Sequence, residues 1–249
     1  MAIITGSTEG IGFAAAKRMA EDGAKVVISS RKQKNVDRAL EELKSEFPNQ
    51  VAGMVCHVGK AEDRNQLIEL TLKEFGKIDV LVSNVAVNPY FGSLLDMDEG
   101  QWDKIFDINV KAPFMLTQSV VPHMLNNKRE GDNGAIIYIA SIAAYTGMSA
   151  IGAYSVSKTA LLGLCKNVSM ELAKEGIRAN LVAPGIIKTK FSGVLWEDGT
   201  DEYYKSITHV KRFGEAHELG GVISFLASPD ASYITGENIV VAGGYHCGL

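Results

Sequence analysis

Ala2-Ile-Ile-Thr-Gly-Ser-Thr-Glu-Gly-Ile-Gly12 begins as a short apolar run, turns through glycine, and leads into an amphipathic run over residues 13–22. Ala2 to Thr5 reads as a buried strand, and residues 13–22 read as a helix. Glycine permits a tight turn between them. It also lets a pyrophosphate approach backbone N–H groups at a helix N-terminus, where the dipole favours an anion. Gly6, Ser7, Thr8, Gly10, Ile11 and Gly12 are therefore candidate dinucleotide-binding residues. The spacing is G-x-x-x-G-x-G, not the G-x-G-x-x-G of other dinucleotide folds.

Working outward, strands and helices alternate. Strands are predicted at 25–29, 51–56, 79–84, 135–139, 178–183 and 238–241, and helices at 33–47, 61–75 and 215–227. Residues 98–126 read as mostly helical, with Pro113 and Pro122 expected to bend or divide the helix. A further helix leads away from residue 154 and ends near Gly176, which suits a cap. This alternation predicts an α/β class: a single-domain Rossmann fold, a doubly wound parallel sheet with helices on both faces, over residues 1–249. Residues 190–213 lack periodicity and carry Phe191, Leu195, Trp196, Tyr203 and Tyr204. They read as a substrate loop or lid, or equally as a small core or subunit contact.

Several side chains carry chemistry. Tyr154 and Lys158 are four apart and share one helix face. An ammonium beside a phenol is expected to lower the phenol pKa from its usual value of about 10 towards neutrality. Tyr154 is then a proton donor and acceptor. Ser141, at the end of the strand at 135–139, could aim its hydroxyl at the same place. Asn109, among apolar neighbours, faces water, anchors backbone or serves a site. Ser30, Arg31 and Lys32 stand where a carboxylate would bond an NAD ribose, which favours the 2′-phosphate of NADP. Glu9 pulls the other way. Val58 follows His57 near the expected adenine. Asn84, Val85 and Ala86 turn out of a strand end. Pro184, Gly185, Ile187 and Thr189 leave another at the carboxyl edge, where ligands bind in open α/β sheets.

Thr5-Gly6-x-x-x-Gly10-Ile-Gly12, Asn84-Val-Ala86, Asn109, Ser141, Tyr154-x-x-x-Lys158 and Pro184-Gly185 with Thr189, in that order, resemble the short-chain dehydrogenase/reductase family over essentially the whole chain. Ser29-Ser-Arg-Lys-Gln33, Cys56-His-Val-Gly-Lys-Ala-Glu-Asp63, Ser157-Lys-Thr-Ala-Leu-Leu-Gly163 and Asp230-Ala-Ser-Tyr-Ile-Thr-Gly-Glu237 resemble its member 4 and member 2 group. That resemblance implies NADPH-dependent reduction of ketones, dicarbonyls and retinoids. It implies Tyr154 as general acid and base, and Lys158 as the group that tunes it and binds nicotinamide ribose. Ser141 would hold the carbonyl oxygen, Asn109 would support a proton-relaying water, and Ile187 and Thr189 would meet the carboxamide. Phe191 and Trp196, with Ser141 and Tyr154, are the expected substrate contacts. The chain departs from the family at Ser83-Asn84-Val85-Ala86, where Asn-Asn-Ala-Gly is usual, and at His57, where Asp is usual.

Composition excludes other classes. The chain has 249 residues, is 46% hydrophobic and has a net charge of −4. No basic surface for nucleic acid is expected, nor any membrane span. Cys56 and Cys165 sit in apolar runs and read as buried thiols, with Cys247 left over, which suits a reducing, cytoplasmic setting. The start is already a strand, so no signal peptide is expected. The terminal Cys247-Gly248-Leu249 is a poor peroxisomal signal. His57, His123, His209, His217 and His246 make no ligand-spaced pair, so no metal site is expected. The family is usually dimeric or tetrameric, and apolar faces around Phe114 and Leu161 would suit such an interface. The competing readings are an alcohol or hydroxysteroid dehydrogenase working oxidatively, and a non-catalytic cofactor-binding interaction protein.

Overall fold

The computed structural model describes residues 1–127, 132–195 and 201–245. Seven parallel strands form one sheet: β1 (Ala2–Ile4), β2 (Val26–Ser30), β3 (Val51–Val55), β4 (Val80–Ser83), β5 (Gly134–Ile139), β6 (Ile177–Pro184) and β7 (Asn238–Val241). Their order is β3-β2-β1-β4-β5-β6-β7. Parallel neighbours need crossovers, and helices supply them. These are α1 (Gly10–Glu21), α2 (Gln33–Glu46), α3 (Ala61–Phe75), α4 (Glu99–Phe106), α5 (Ala112–Leu125) and α6 (Gly152–Leu172), followed by α7 (Asp201–Ser206) and α8 (Ala216–Ala227). The strand order reverses between β1 and β4, which opens a crevice at their carboxyl ends.

Side chains alternate across each strand, so the sheet builds two cores. Ala2 and Ile4 join Ala16 and Met19 of α1, Leu43 of α2 and Leu219 and Ile223 of α8. Ile3 faces the other way, with Leu67 of α3, Leu116 and Val120 of α5, and Leu161 and Cys165 of α6. Leu161 is only 2% exposed and packs inward, so it is not part of an outer apolar face. Phe114, by contrast, is 45% exposed.

Two sequence expectations are corrected. Pro122 lies inside α5 without dividing it. The division falls earlier, in a wide π turn, Asp107–Lys111. Pro113 has no N–H for the Asn109 carbonyl four residues before it, and the hydrogen-bond ladder shifts spacing there. The segment at 190–213 is also not irregular throughout: Lys190–Leu195 is a short 3-10 helix and α7 lies within it. Elements of six residues are too short to show periodicity. No helix is long and apolar enough to cross a membrane among the described residues.

Candidate active site

Gly6 and Gly10 have φ of +59° and +60°, a region that side chains other than glycine rarely adopt. Between them the chain reverses from β1 into α1. Glu9 precedes α1 and makes no side-chain capping bond, so the first N–H groups of the helix open towards the crevice. A Cβ at Gly10 would lie 3.3 Å from Thr189 Cγ2, and one at Gly6 would lie 3.0 Å from Val85 Cγ2. A side chain at either position would crowd those neighbours, and the bare turn at the start of α1, with its free N–H groups, has the chemistry that suits a dinucleotide pyrophosphate. Asn84 braces the turn, donating from Nδ2 to the carbonyls of Thr5 (3.1 Å) and Gly6 (2.9 Å).

A cavity of about 490 Å³ runs along the carboxyl ends of the strands. Gly6, Thr8, Gly10 and Ile11 line it beyond β1, and Ser30 and Arg31 beyond β2. Cys56, His57 and Val58 follow beyond β3, and Asn84, Val85, Ala86, Val87 and Asn88 beyond β4. Ser141 and Ile142 line it after β5, Tyr154 and Lys158 from α6, and Pro184, Gly185, Ile187, Thr189 and Phe191 after β6.

Ser141, Tyr154 and Lys158 come together on one wall. Tyr154 and Lys158 are 8% and 1% exposed. Lys158 Nζ donates to the Ile139 carbonyl at 2.8 Å and stands 5.6 Å from the centre of the Tyr154 ring. Phe191 lies against Tyr154, with ring centres 6.0 Å apart. The acidities correct the sequence expectation. Burial pushes the Tyr154 phenol up to about 12, and a hydrogen bond with Ser141 offsets only part of that. Burial also pushes Lys158 down to about 7. In the protein alone, desolvation outweighs any pull of the ammonium, so Tyr154 is a neutral phenol near neutral pH.

Four sequence candidates stand outside the cavity wall. The Ser7 hydroxyl donates to the Ile4 carbonyl and accepts from Ser29 N–H at 3.0 Å, so it ties β1 to β2. Gly12 lets α1 pack on the turn: a Cβ there would sit 2.5 Å from both Gly6 O and Asn84 Nδ2. Lys32 is exposed at the start of α2. Asn109 is fully buried, accepts from Val87 N–H (2.8 Å), and donates to the Val87 carbonyl (3.0 Å) and Ser157 Oγ (3.0 Å). Ser157 Oγ in turn donates to the Tyr154 carbonyl at 2.7 Å. Asn109 thus reaches the site through the frame that holds Tyr154. Trp196 lies outside the described residues. Sequence reasoning missed Arg38, which donates to the Thr8 carbonyl at 2.9 Å, and Ser157 and Asn88. The spacing of Ser157 from Tyr154, one helical turn, was the available signal.

A parallel sheet reversing at β1/β4, a glycine turn at that point and a Ser141–Tyr154–Lys158 wall define a dinucleotide-dependent oxidoreductase, and the chain belongs to the short-chain dehydrogenase/reductase family. A family model described as enoyl-(acyl carrier protein) reductase matches residues 6–246. The chain is 56% identical to dehydrogenase/reductase SDR family member 4 of Bos taurus, over 98% of this chain and 86% of that protein. It is 52% identical to the Homo sapiens member 2, described as mitochondrial, over 98% and 85% respectively. Among solved structures, a 3-ketoacyl-(acyl-carrier-protein) reductase from Brucella melitensis complexed with NADH superposes with a TM-score of 0.91 at 27% identity. That match covers 98% of this chain and 97% of that one.

Proposed function

We propose that this chain is an NADPH-dependent carbonyl reductase acting on ketones, dicarbonyls or retinal. The observation that carries the reading is the shared cavity: Ser141, Tyr154 and Lys158 line one part, and the glycine turn with Ser30 and Arg31 lines another. When bound, the cofactor supplies hydride to the carbonyl carbon. Ser141 Oγ holds the carbonyl oxygen, and the Tyr154 phenol gives that oxygen its proton. Lys158 binds nicotinamide ribose hydroxyls, and its charge stabilises the phenolate left behind. Asn109 positions Tyr154 through Ser157 and supports a water that returns the proton.

Gly6, Thr8, Gly10 and Ile11 hold the pyrophosphate, Val58 the adenine, and Ile187 and Thr189 the carboxamide. Asn84, Val85, Ala86, Pro184 and Gly185 shape the nicotinamide end. Arg31, with Ser30, takes the 2′-phosphate, and Lys32 adds charge from outside the wall. Phe191 bounds the substrate, and the segment at 190–213 acts as the substrate loop. A neutral Tyr154 is the protonation state that a proton donor to a carbonyl oxygen needs. Exposed Phe114 on α5 and Met170 on α6 support a homodimer or homotetramer. Two buried free thiols, Cys56 and Cys165, suit a cytoplasmic setting.

A panel of a simple ketone, a vicinal diketone and retinal, assayed with NADPH and with NADH, tests the reading. Turnover is expected on at least one carbonyl, with NADPH favoured. Turnover on none of them, or a clear NADH preference, defeats it.

A further inference from the structure

Arg38 lies on α2, outside the cavity wall, and its Nη2 donates to the Thr8 carbonyl at 2.9 Å, across 30 positions of sequence. Glu41 and Glu42 follow it by three and four residues, the spacing at which a helix pairs opposite charges. Arg38 makes no ion pair with either of them. A permanently charged donor is instead committed to one backbone oxygen of the glycine turn.

That oxygen decides what the turn presents. Thr8 is buried between Gly6 and Gly10, whose positive φ values set the reversal. Ser7 is tied to β1 and β2, and Asn84 holds the carbonyls of Thr5 and Gly6. Those bonds leave the peptide between Thr8 and Glu9 unfixed. Of its two polar groups, the Thr8 carbonyl bonds Arg38, and the Glu9 N–H has no partner among the described residues. A trans peptide carries its C=O and N–H on opposite sides, so a carbonyl turned to α2 sends the Glu9 N–H away from α2. Glu9 is exposed and lines the cavity. An N–H attracts a phosphate oxygen there, whereas a carbonyl oxygen would repel it.

We propose that Arg38 is a positioning residue for the dinucleotide. By fixing the Thr8 carbonyl it aims the Glu9 N–H at the pyrophosphate and keeps the carbonyl dipole off it. This inference rests on the reductase reading, because it needs a dinucleotide in the turn, and it adds to that reading a residue that does not touch the cofactor.

The test is binding of NADPH and of NADH, followed by nicotinamide fluorescence, together with KM and kcat on a diketone. The proteins are the parent, Arg38→Ala and Arg38→Lys. Both dinucleotides carry the pyrophosphate, so Arg38→Ala should weaken both by the same factor, about tenfold. Its kcat at saturating NADPH should stay within about twofold of the parent. Arg38→Lys keeps a charged donor and should recover most of the loss. Should Arg38→Ala fail to fold, Arg38→Met, which keeps the apolar stem, is read by the same criterion. The inference is overturned if Arg38→Ala binds both dinucleotides within about twofold of the parent, or if Arg38→Lys binds no better than Arg38→Ala. It is overturned too if kcat falls in step with affinity, or if the loss falls on NADPH alone, which would make Arg38 a ligand of the 2′-phosphate. A parent that binds neither dinucleotide defeats the reductase reading, whereas a parent that binds them and is matched by Arg38→Ala defeats the role of Arg38 alone.

Discussion

At the scale of single residues, Lys158 is a cation held away from water. It is fully buried, with one hydrogen bond to a carbonyl. Its pKa falls from 10.5 in the unfolded chain to about 7. Between those values the unfolded chain holds a proton that the folded chain does not, so this group makes stability rise with pH across that window. Below it the full cost of burying the ammonium is felt. The melting temperature of the cofactor-free parent, relative to Lys158→Met, is therefore expected to be lowest at about pH 6 and to climb towards pH 10. A difference that stays flat over that range contradicts the assignment. At the other end of the cavity, the proposed NADPH preference makes Arg31 the partner of a phosphate, and Arg31→Ala tests it. The KM for NADPH should rise about tenfold or more, with little change for NADH. Equal effects on both cofactors would remove Arg31 from phosphate recognition. The Tyr-x-x-x-Lys pairing was legible in the sequence, but the direction of the Tyr154 shift was not. That direction depends on burial, which is created by chain segments far from residue 154.

At the scale of elements, α1 shows both what the sequence reveals and what it hides. Its apolar pattern suggests a start at Phe13, because glycines are poor helix formers, yet the helix begins at Gly10. Gly12 stays inside it because α1 approaches the turn and Asn84 too closely for any side chain. Gly12→Ala is expected to force α1 off the turn and cost about 1–3 kcal/mol. Denaturant unfolding would show this, together with weaker NADPH binding, and an unchanged midpoint would mean that α1 can shift freely. Strands were read to within a residue or two because each is a dense apolar run between polar turns. The helical pieces within 190–213 were not foreseen because they are short. The π turn at Asp107–Lys111 was missed because Pro113 and Pro122 look alike in sequence. Only Pro113 follows directly on the π turn, where its missing N–H leaves the Asn109 carbonyl without its usual partner.

At the scale of the whole molecule, the alternation of elements foretold a parallel sheet. The right-handed crossover rule then leaves few strand orders, and the observed one places every chemically loaded loop at one edge. Assembly was not legible in this way. Leu161 carried part of that expectation and turned inward, leaving Phe114 and Met170 exposed on adjacent helices. Light scattering on the eluting protein should report a dimer or tetramer of the 26.8 kDa chain. Phe114→Lys combined with Met170→Lys should shift it towards monomer, and a parent that elutes as a monomer contradicts the assembly. The central claim remains the convergence of Tyr154, Lys158 and Ser141 in one dinucleotide cavity as a proton-donating site. Its most direct test is the rate of NADPH oxidation by Tyr154→Phe with a diketone, alongside NADPH binding followed by fluorescence. Loss of a general acid predicts a fall of about 10²–10⁴-fold in rate with binding retained. A variant that reduces the diketone as fast as the parent would contradict the account.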